Sequence, residues 1–244
     1  MRMSGRELLR AAWLLPFFGL STAIFGLLSL IASLWSARRA RWFAPLWAGI
    51  NMRAAGIHIA VEGVQHLPAN QPGSGGGCVV ASNHRSAADI GAILAGLPVD
   101  VCWVTKASLL KVPFLGWHLK RVHIPIHRQR AGNTDRFLQD GADKIRAGAA
   151  VVIFPEGTRN RGPAGSLLPF KKGAFLLAHT AGQPILPVAL IGSAELWPPR
   201  SLMPASGSID MRVGQPIDPK KYGPDELAAL AEETSQAIAA LLAE

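Results

Sequence analysis

Between Ala11 and Trp35 the chain runs AAWLLPFFGLSTAIFGLLSLIASLW, twenty-five residues without a charge. About twenty apolar residues suffice to cross a bilayer core as a helix, so this stretch predicts a membrane-embedded helix. It ends in Trp35 and then SARRAR, unlike the small-residue cleavage site of a signal peptide, so we expect it to stay attached. Arginines flank both ends (Arg2, Arg6 and Arg10; Arg38, Arg39 and Arg41), and charge asymmetry therefore assigns no topology. WFAPLWAGINMRAAGI, residues 42–57, can supply a second arm with Trp42 and Trp47 at headgroup depth and Pro45 near the helix start. A two-helix hairpin in one leaflet and a single spanning helix followed by an amphipathic one both fit.

Charge supports a membrane partner. Residues 1–60 hold seven Arg and one acid, whereas residues 210–244 hold three basic and seven acidic residues. The basic end is also the apolar end, which points to anionic lipid heads. Nucleic acid is not favoured, because the chain has one Tyr, no Lys/Arg-rich tail and no nucleic-acid-binding signature. Cys78 and Cys102 sit among apolar residues and read as core hydrophobes, with no CxxC zinc pattern.

After residue 57 the texture changes to short apolar runs separated by turns and helical stretches. Residues 57–63, 77–82, 101–106, 122–126, 150–157, 185–192 and 208–214 read as strands. Residues 86–97, 133–147, 172–182 and 225–243 carry helical periodicity. This alternation predicts one α/β domain over 57–244, with a mostly parallel sheet of roughly seven strands covered by helices. Residues 1–56 precede it as membrane-anchoring helices. The glycines of QPGSGGG, residues 71–77, lack the GxGxxG or GxxxxGK[ST] order and read as a loop.

Ligands of such sheets gather at the carboxyl ends of the strands, and these ends are polar here. The strand at 77–82 runs into Asn83-His84, that at 101–106 ends in Lys106, that at 122–126 in His127-Arg128, and that at 150–154 in Pro155-Glu156-Gly157-Thr158-Arg159. His84 suits a general base near neutral pH, and Asp89, five residues on, suits the group that orients it. Lys106, Arg128 and Arg159 suit a phosphate. Gly157 permits close backbone approach, and Glu156 suits a polyol hydroxyl or, alternatively, an ion pair with Arg159. Ser86 lacks the GxSxG elbow of a serine nucleophile, and one His with one Asp falls short of a metal site. Lys171 and Lys172 read as bordering the membrane or donor phosphates, and the remaining histidines as structural or surface groups.

NHRSAAD (83–89), KASLLKVPFLGWHLKRVHIPIHR (106–128), FPEGTR (154–159) and ILPVAL (185–190) together resemble the four ordered blocks of glycerolipid acyltransferases related to 1-acyl-sn-glycerol-3-phosphate acyltransferase. The resemblance implies transfer of a fatty acyl group from acyl-CoA or acyl-carrier protein, as co-substrate rather than bound cofactor, to a lysolipid hydroxyl. His84 and Asp89 would be the catalytic pair. Arg128, with Glu156, Gly157, Thr158 and Arg159, would bind the acceptor, and the block around Pro187 would shape the donor side. It also implies attachment to a bacterial inner membrane, with the catalytic domain on the cytoplasmic side. Two departures, His127 in place of an acid and Asn160 in place of Ser, border the acceptor pocket. Lysophosphatidic acid is the expected acceptor, with a lyso-ornithine lipid or another lysophospholipid as the alternative. A hydrolase and a membrane lipid-binding protein without turnover are the readings of another class.

Overall fold

The computed structural model describes residues 5–68, 76–111, 115–126, 133–198 and 201–243. In chain order the helices are α1 (Gly5–Ser33), α2 (Ala37–Arg41), α3 (Phe43–Ala54), α4 (Ala88–Gly96), α5 (Leu115–Val122), α6 (Asn133–Arg146), α7 (Gly173–Ala181), α8 (Ser193–Leu196) and α9 (Leu227–Ala243). The strands are β1 (Ile57–Glu62), β2 (Cys78–Ser82), β3 (Val101–Lys106), β4 (Ile124–Ile126), β5 (Ala150–Ile153), β6 (Ile185–Ile191) and β7 (Gly207–Val213).

The strands form one sheet in the order β1-β7-β6-β2-β5-β3-β4. Only β6 and β7 pair antiparallel; the other neighbours run parallel. The mostly parallel seven-stranded sheet expected from the alternation is therefore present. The central strands β2 and β6 are apolar and almost wholly buried, as strands covered on both faces must be. Val80, Val152, Leu186 and Leu190 pack with α4 on one face; Val79, Val151, Ile185 and Ala189 pack with α6, α7 and α9 on the other.

Two local readings change. The strand expected over 122–126 is shorter, because α5 holds Val122 and β4 begins at Ile124. Helix α5 itself, LGWHLKRV, is too brief for its periodicity to stand out from the surrounding apolar segment.

The N-terminal residues form an antiparallel helix pair. Leu8–Ser33 has mean hydropathy 2.1 and is long and apolar enough to cross a membrane. Along its length α1 is tied to α3 and α2 by polar contacts: Ser21 Oγ donates to Asn51 Oδ1 (2.9 Å), Trp47 Nε1 to Thr22 Oγ1 (3.1 Å) and Ser29 Oγ to the Ala40 carbonyl (2.8 Å). Arg121 Nε donates to the Ser33 carbonyl at 2.6 Å, placing a cation on the negative end of the α1 dipole. Ala48, Met52 and Ala55 join Ala88, Ala92 and Ile93 in one core cluster. The helix pair and the α/β domain thus share an apolar layer. The outward side of the pair exposes Leu9, Leu20, Leu27, Leu34, Trp35 and Trp42.

Candidate active site

Strand β2 delivers Asn83 and His84 to the carboxyl rim, and the chain turns there into α4. Asn83 is buried, and its amide reproduces a backbone pair with Leu190: Nδ2 donates to the Leu190 carbonyl (2.9 Å), and Oδ1 accepts the Leu190 N–H (2.8 Å). Side-chain and backbone groups then hold the turn. The Asn160 N–H donates to the His84 carbonyl at 2.7 Å, and Arg85 reaches the Gly162 and Pro163 carbonyls at 2.8 and 2.9 Å.

Within this frame His84 Nδ1 lies 2.7 Å from Asp89 Oδ2, with side chains 13% and 0% exposed. The same oxygen accepts the N–H groups of Arg85 (2.7 Å) and Ser86 (2.8 Å). Asp89 occupies the first turn of α4, where the helix dipole favours an anion. A carboxylate held this way keeps the Nδ1–H tautomer of His84 and leaves Nε2 to take a proton. The imidazole also stacks on Phe154, centroids 3.9 Å apart and planes 10° apart, which backs one face of the ring.

Glu156 does not open to solvent. It is 2% exposed, and its two oxygens accept the backbone N–H groups of His84 and Leu168, both at 2.9 Å. Nor does it pair with Arg159. A carboxylate placed between two segments of main chain anchors the His84 turn to the 160s loop. The alternative ion pair with Arg159 gives way to these two buried N–H groups.

Gly157 has φ +69°, and a Cβ there would meet Lys171 Nζ at 2.6 Å, so the motif glycine gives space to a lysine as well as a left-handed turn. Thr158, Arg159, Arg161, Lys171 and Lys172 are exposed on this rim. No ion pair engages these four cations among the described residues, so the rim is positive. Lys106 closes β3 at the same end of the sheet. Arg128 and His127 lie outside the described residues. Asn160 is 3% exposed; it donates through Nδ2 to the Ser166 carbonyl (2.8 Å) and accepts the Gly162 N–H (2.8 Å). It organises the loop.

Ser86 is committed elsewhere: Oγ donates to the Trp197 carbonyl (2.8 Å) and accepts the Ala88 N–H (3.1 Å). Asn83, Arg85 and Phe154 are the positioning residues that sequence reasoning missed. Each sits inside a quoted motif, Asn83 and Arg85 in NHRSAAD and Phe154 in FPEGTR, but residue type alone gave none of them a role.

Beside the turn, an apolar cleft of about 340 Å³ opens between α1, α3 and α4. Leu15, Phe18, Trp47, Met52, Ile90 and Trp197 line it, and Ala87 joins it to the His84 turn. A larger cavity of about 740 Å³ between α5 and α6 holds none of the residues of that turn. An imidazole with a buried carboxylate behind it, a cationic rim and an apolar cleft suit an amphiphile with an anionic head and a reacting hydroxyl or ester.

A family model described as Acyltransferase matches residues 58–191. The chain is 34% identical over 187 residues to the 1-acyl-sn-glycerol-3-phosphate acyltransferase alpha of Homo sapiens, covering 75% of this chain and 63% of that one. It is 32% identical over 158 residues to the chloroplastic 1-acyl-sn-glycerol-3-phosphate acyltransferase of Brassica napus, covering 64% and 44%. It is 32% identical over 192 residues to the 1-acyl-sn-glycerol-3-phosphate acyltransferase of Pseudomonas aeruginosa, covering 78% and 71%. The crystal structure of the 1-acyl-sn-glycerophosphate acyltransferase from Thermotoga maritima shares the fold, with TM-score 0.74 and 25% identity, covering 98% and 97% of the two chains. The match thus spans less than two thirds of the Brassica and human relatives.

Proposed function

Because the chain belongs to the acyltransferase family that includes the 1-acyl-sn-glycerol-3-phosphate acyltransferases, we propose that it moves a fatty acyl group from a thioester to the sn-2 hydroxyl of 1-acyl-sn-glycerol 3-phosphate, giving phosphatidic acid. Acyl-CoA or acyl-carrier protein is the donor. The observation that carries this reading is the 2.7 Å contact between His84 Nδ1 and Asp89 Oδ2, in a turn whose Ala87 lines an apolar cleft.

His84 Nε2 takes the proton of the acceptor hydroxyl as its oxygen attacks the thioester carbonyl carbon. Asp89 stabilises the imidazolium that results. The tetrahedral intermediate collapses with cleavage of the carbon–sulfur bond, and the departing thiolate recovers the proton from His84. No covalent acyl-enzyme is needed, in keeping with the structural use of Ser86. The acyl chain lies in the cleft, while Arg159, with Lys106 and Arg128, receives the acceptor phosphate. The exposed apolar side of α1 and α3 holds the protein on the membrane, where both lipids reside. In a bacterial cell the catalytic domain would face the cytoplasm, the side that holds the thioester donors.

The test offers lysophosphatidic acid, lysophosphatidylcholine and lyso-ornithine lipid to the purified protein, with acyl-CoA and acyl-carrier-protein donors and products identified by mass. Phosphatidic acid is the expected product. Acylation of another lysolipid alone would reassign the acceptor, and release of free fatty acid without acylated lipid would make the protein a hydrolase.

A further inference from the structure

A second crevice, of about 480 Å³, opens at the elbow of the helix pair. Trp42, Pro45 and Leu46 form one wall, and Leu97, Pro98 and Val99 the other. It lies at the opposite pole of the sheet from His84. Asp100 in its lining precedes β3, His84 follows β2, and β3, β5 and β2 run parallel.

Its charges do not cancel. Asp100 gives one oxygen to Arg41 Nε and the other to Arg41 Nη2, each at 2.7 Å, and the paired side chains are 8% and 9% exposed. That fork satisfies the carboxylate. Arg38 comes only within 4.0 Å of it and keeps 47% of its side chain exposed. Arg39, next along the elbow, is exposed with no acidic partner among the described residues. One carboxylate thus faces two guanidinium groups, Arg38 lines the crevice, and Arg39 adds a further exposed cation on the same short helix.

The surroundings are apolar. Leu34, Trp35, Trp42 and Leu46 are each more than half exposed, and they carry the outward surface of the helix pair up to the crevice. A free anion would gain nothing from these walls, and an uncharged lipid nothing from the arginines. An amphiphile with an anionic head gains from both.

We propose that the elbow crevice binds one anionic phospholipid of the surrounding leaflet, with its phosphate at Arg38 and Arg39 and its glycerol neck against Trp42, Leu46 and Val99. This is a lipid site separate from the acceptor site, and it rests on the proposed function only for the membrane as the source of the lipid. It would fix the helix pair at a defined depth by holding a headgroup at its bend.

The test is native mass spectrometry of the full-length protein released from detergent, with phosphatidylglycerol and phosphatidylcholine offered in equal amounts. The wild type is expected to retain one phosphatidylglycerol in preference. Arg38→Gln/Arg39→Gln should cut that preference about thirtyfold, the attraction of two surface cations for an anionic lipid. Ala147→Phe, which narrows the crevice at an exposed lining residue without altering charge, should also abolish retention. Millimolar inorganic phosphate should leave the lipid bound. Equal retention of both lipids by the wild type, an unchanged preference in either variant, or displacement by phosphate would each overturn the proposal. Acyl transfer in micelles should stay within about twofold in both variants. Its absence from the wild type would count against the catalytic reading alone.

Discussion

The backbone N–H of His84 donates to Glu156 Oε1 at 2.9 Å, while Oε2 of the same side chain accepts the Leu168 N–H. The acid of FPEGTR therefore holds the His84 turn against the 160s loop. Glu156→Gln keeps one acceptor and turns an amide NH₂ toward an N–H donor. We expect a loss of about 1–3 kcal/mol in stability, the cost of one unsatisfied buried group, and a fall in kcat with the acceptor KM unchanged. Thermal melts and steady-state kinetics check it; a raised KM at constant kcat would instead put Glu156 on the acceptor.

His84→Ala removes the proposed base and should lower kcat by about 10²–10⁴, the range for positioned general acid–base groups. Asp89→Asn should lower it less, because Nδ1–H loses its charged acceptor while the ring remains. Circular dichroism and vesicle flotation should match the wild type in both. Turnover retained by His84→Ala would end the proposed mechanism.

Arg159→Ala should mainly weaken acceptor binding. A charge-assisted hydrogen bond contributes about 1.5–3 kcal/mol, so the acceptor KM should rise by roughly tenfold or more with kcat little changed. An unaltered KM removes Arg159 from the phosphate role.

Ile90 lines the apolar cleft and is 39% exposed, so the fold has room for a larger side chain there. Ile90→Trp should shift preference toward shorter thioesters, lowering the ratio of kcat/KM for long over short chains by about tenfold, since each methylene contributes on the order of 1–3 kcal/mol. Chain-length profiles measured with a homologous thioester series check it. An unchanged profile would place the acyl chain elsewhere.

His123, between α5 and β4, accepts the Trp103 N–H at Nδ1 (3.3 Å). Burial, aided by His118, Arg41 and Lys144, pushes its pKa down to about 3 from 6.5. The fold keeps the ring neutral over that interval, whereas the unfolded chain takes a proton near 6.5. Stability from this group is thus complete above pH 6.5 and is lost as pH falls toward 3, by up to about 1.4 kcal/mol per pH unit. His123→Asn should flatten the dependence of urea midpoints between pH 6 and 4; an unchanged slope would assign the acid sensitivity to other groups.

The parts legible in the sequence were those encoded by neighbouring residues. Strands β5 and β6 announce themselves as apolar runs because both their faces are covered, and His84 with Asp89 is readable because five positions span one strand-to-helix turn. The part played by Glu156 was not readable: its donors are main-chain N–H groups 72 and 12 residues away, and a backbone donor leaves no mark on residue type. The same holds for Asn83, whose partner Leu190 is 107 residues distant. Helix α5 escaped because eight residues give barely two turns of periodicity.

The cleft beside His84 is walled by Leu15, Phe18, Trp47 and Met52, residues of the helix pair whose outer side is apolar and exposed. Two properties are therefore written in the same few turns of helix, one on each face. Natural variation in this segment cannot adjust its outer face without also resizing the space beside the His84 turn. Exchanging the first fifty-five residues between relatives should carry chain-length preference along with them, as a single inherited trait.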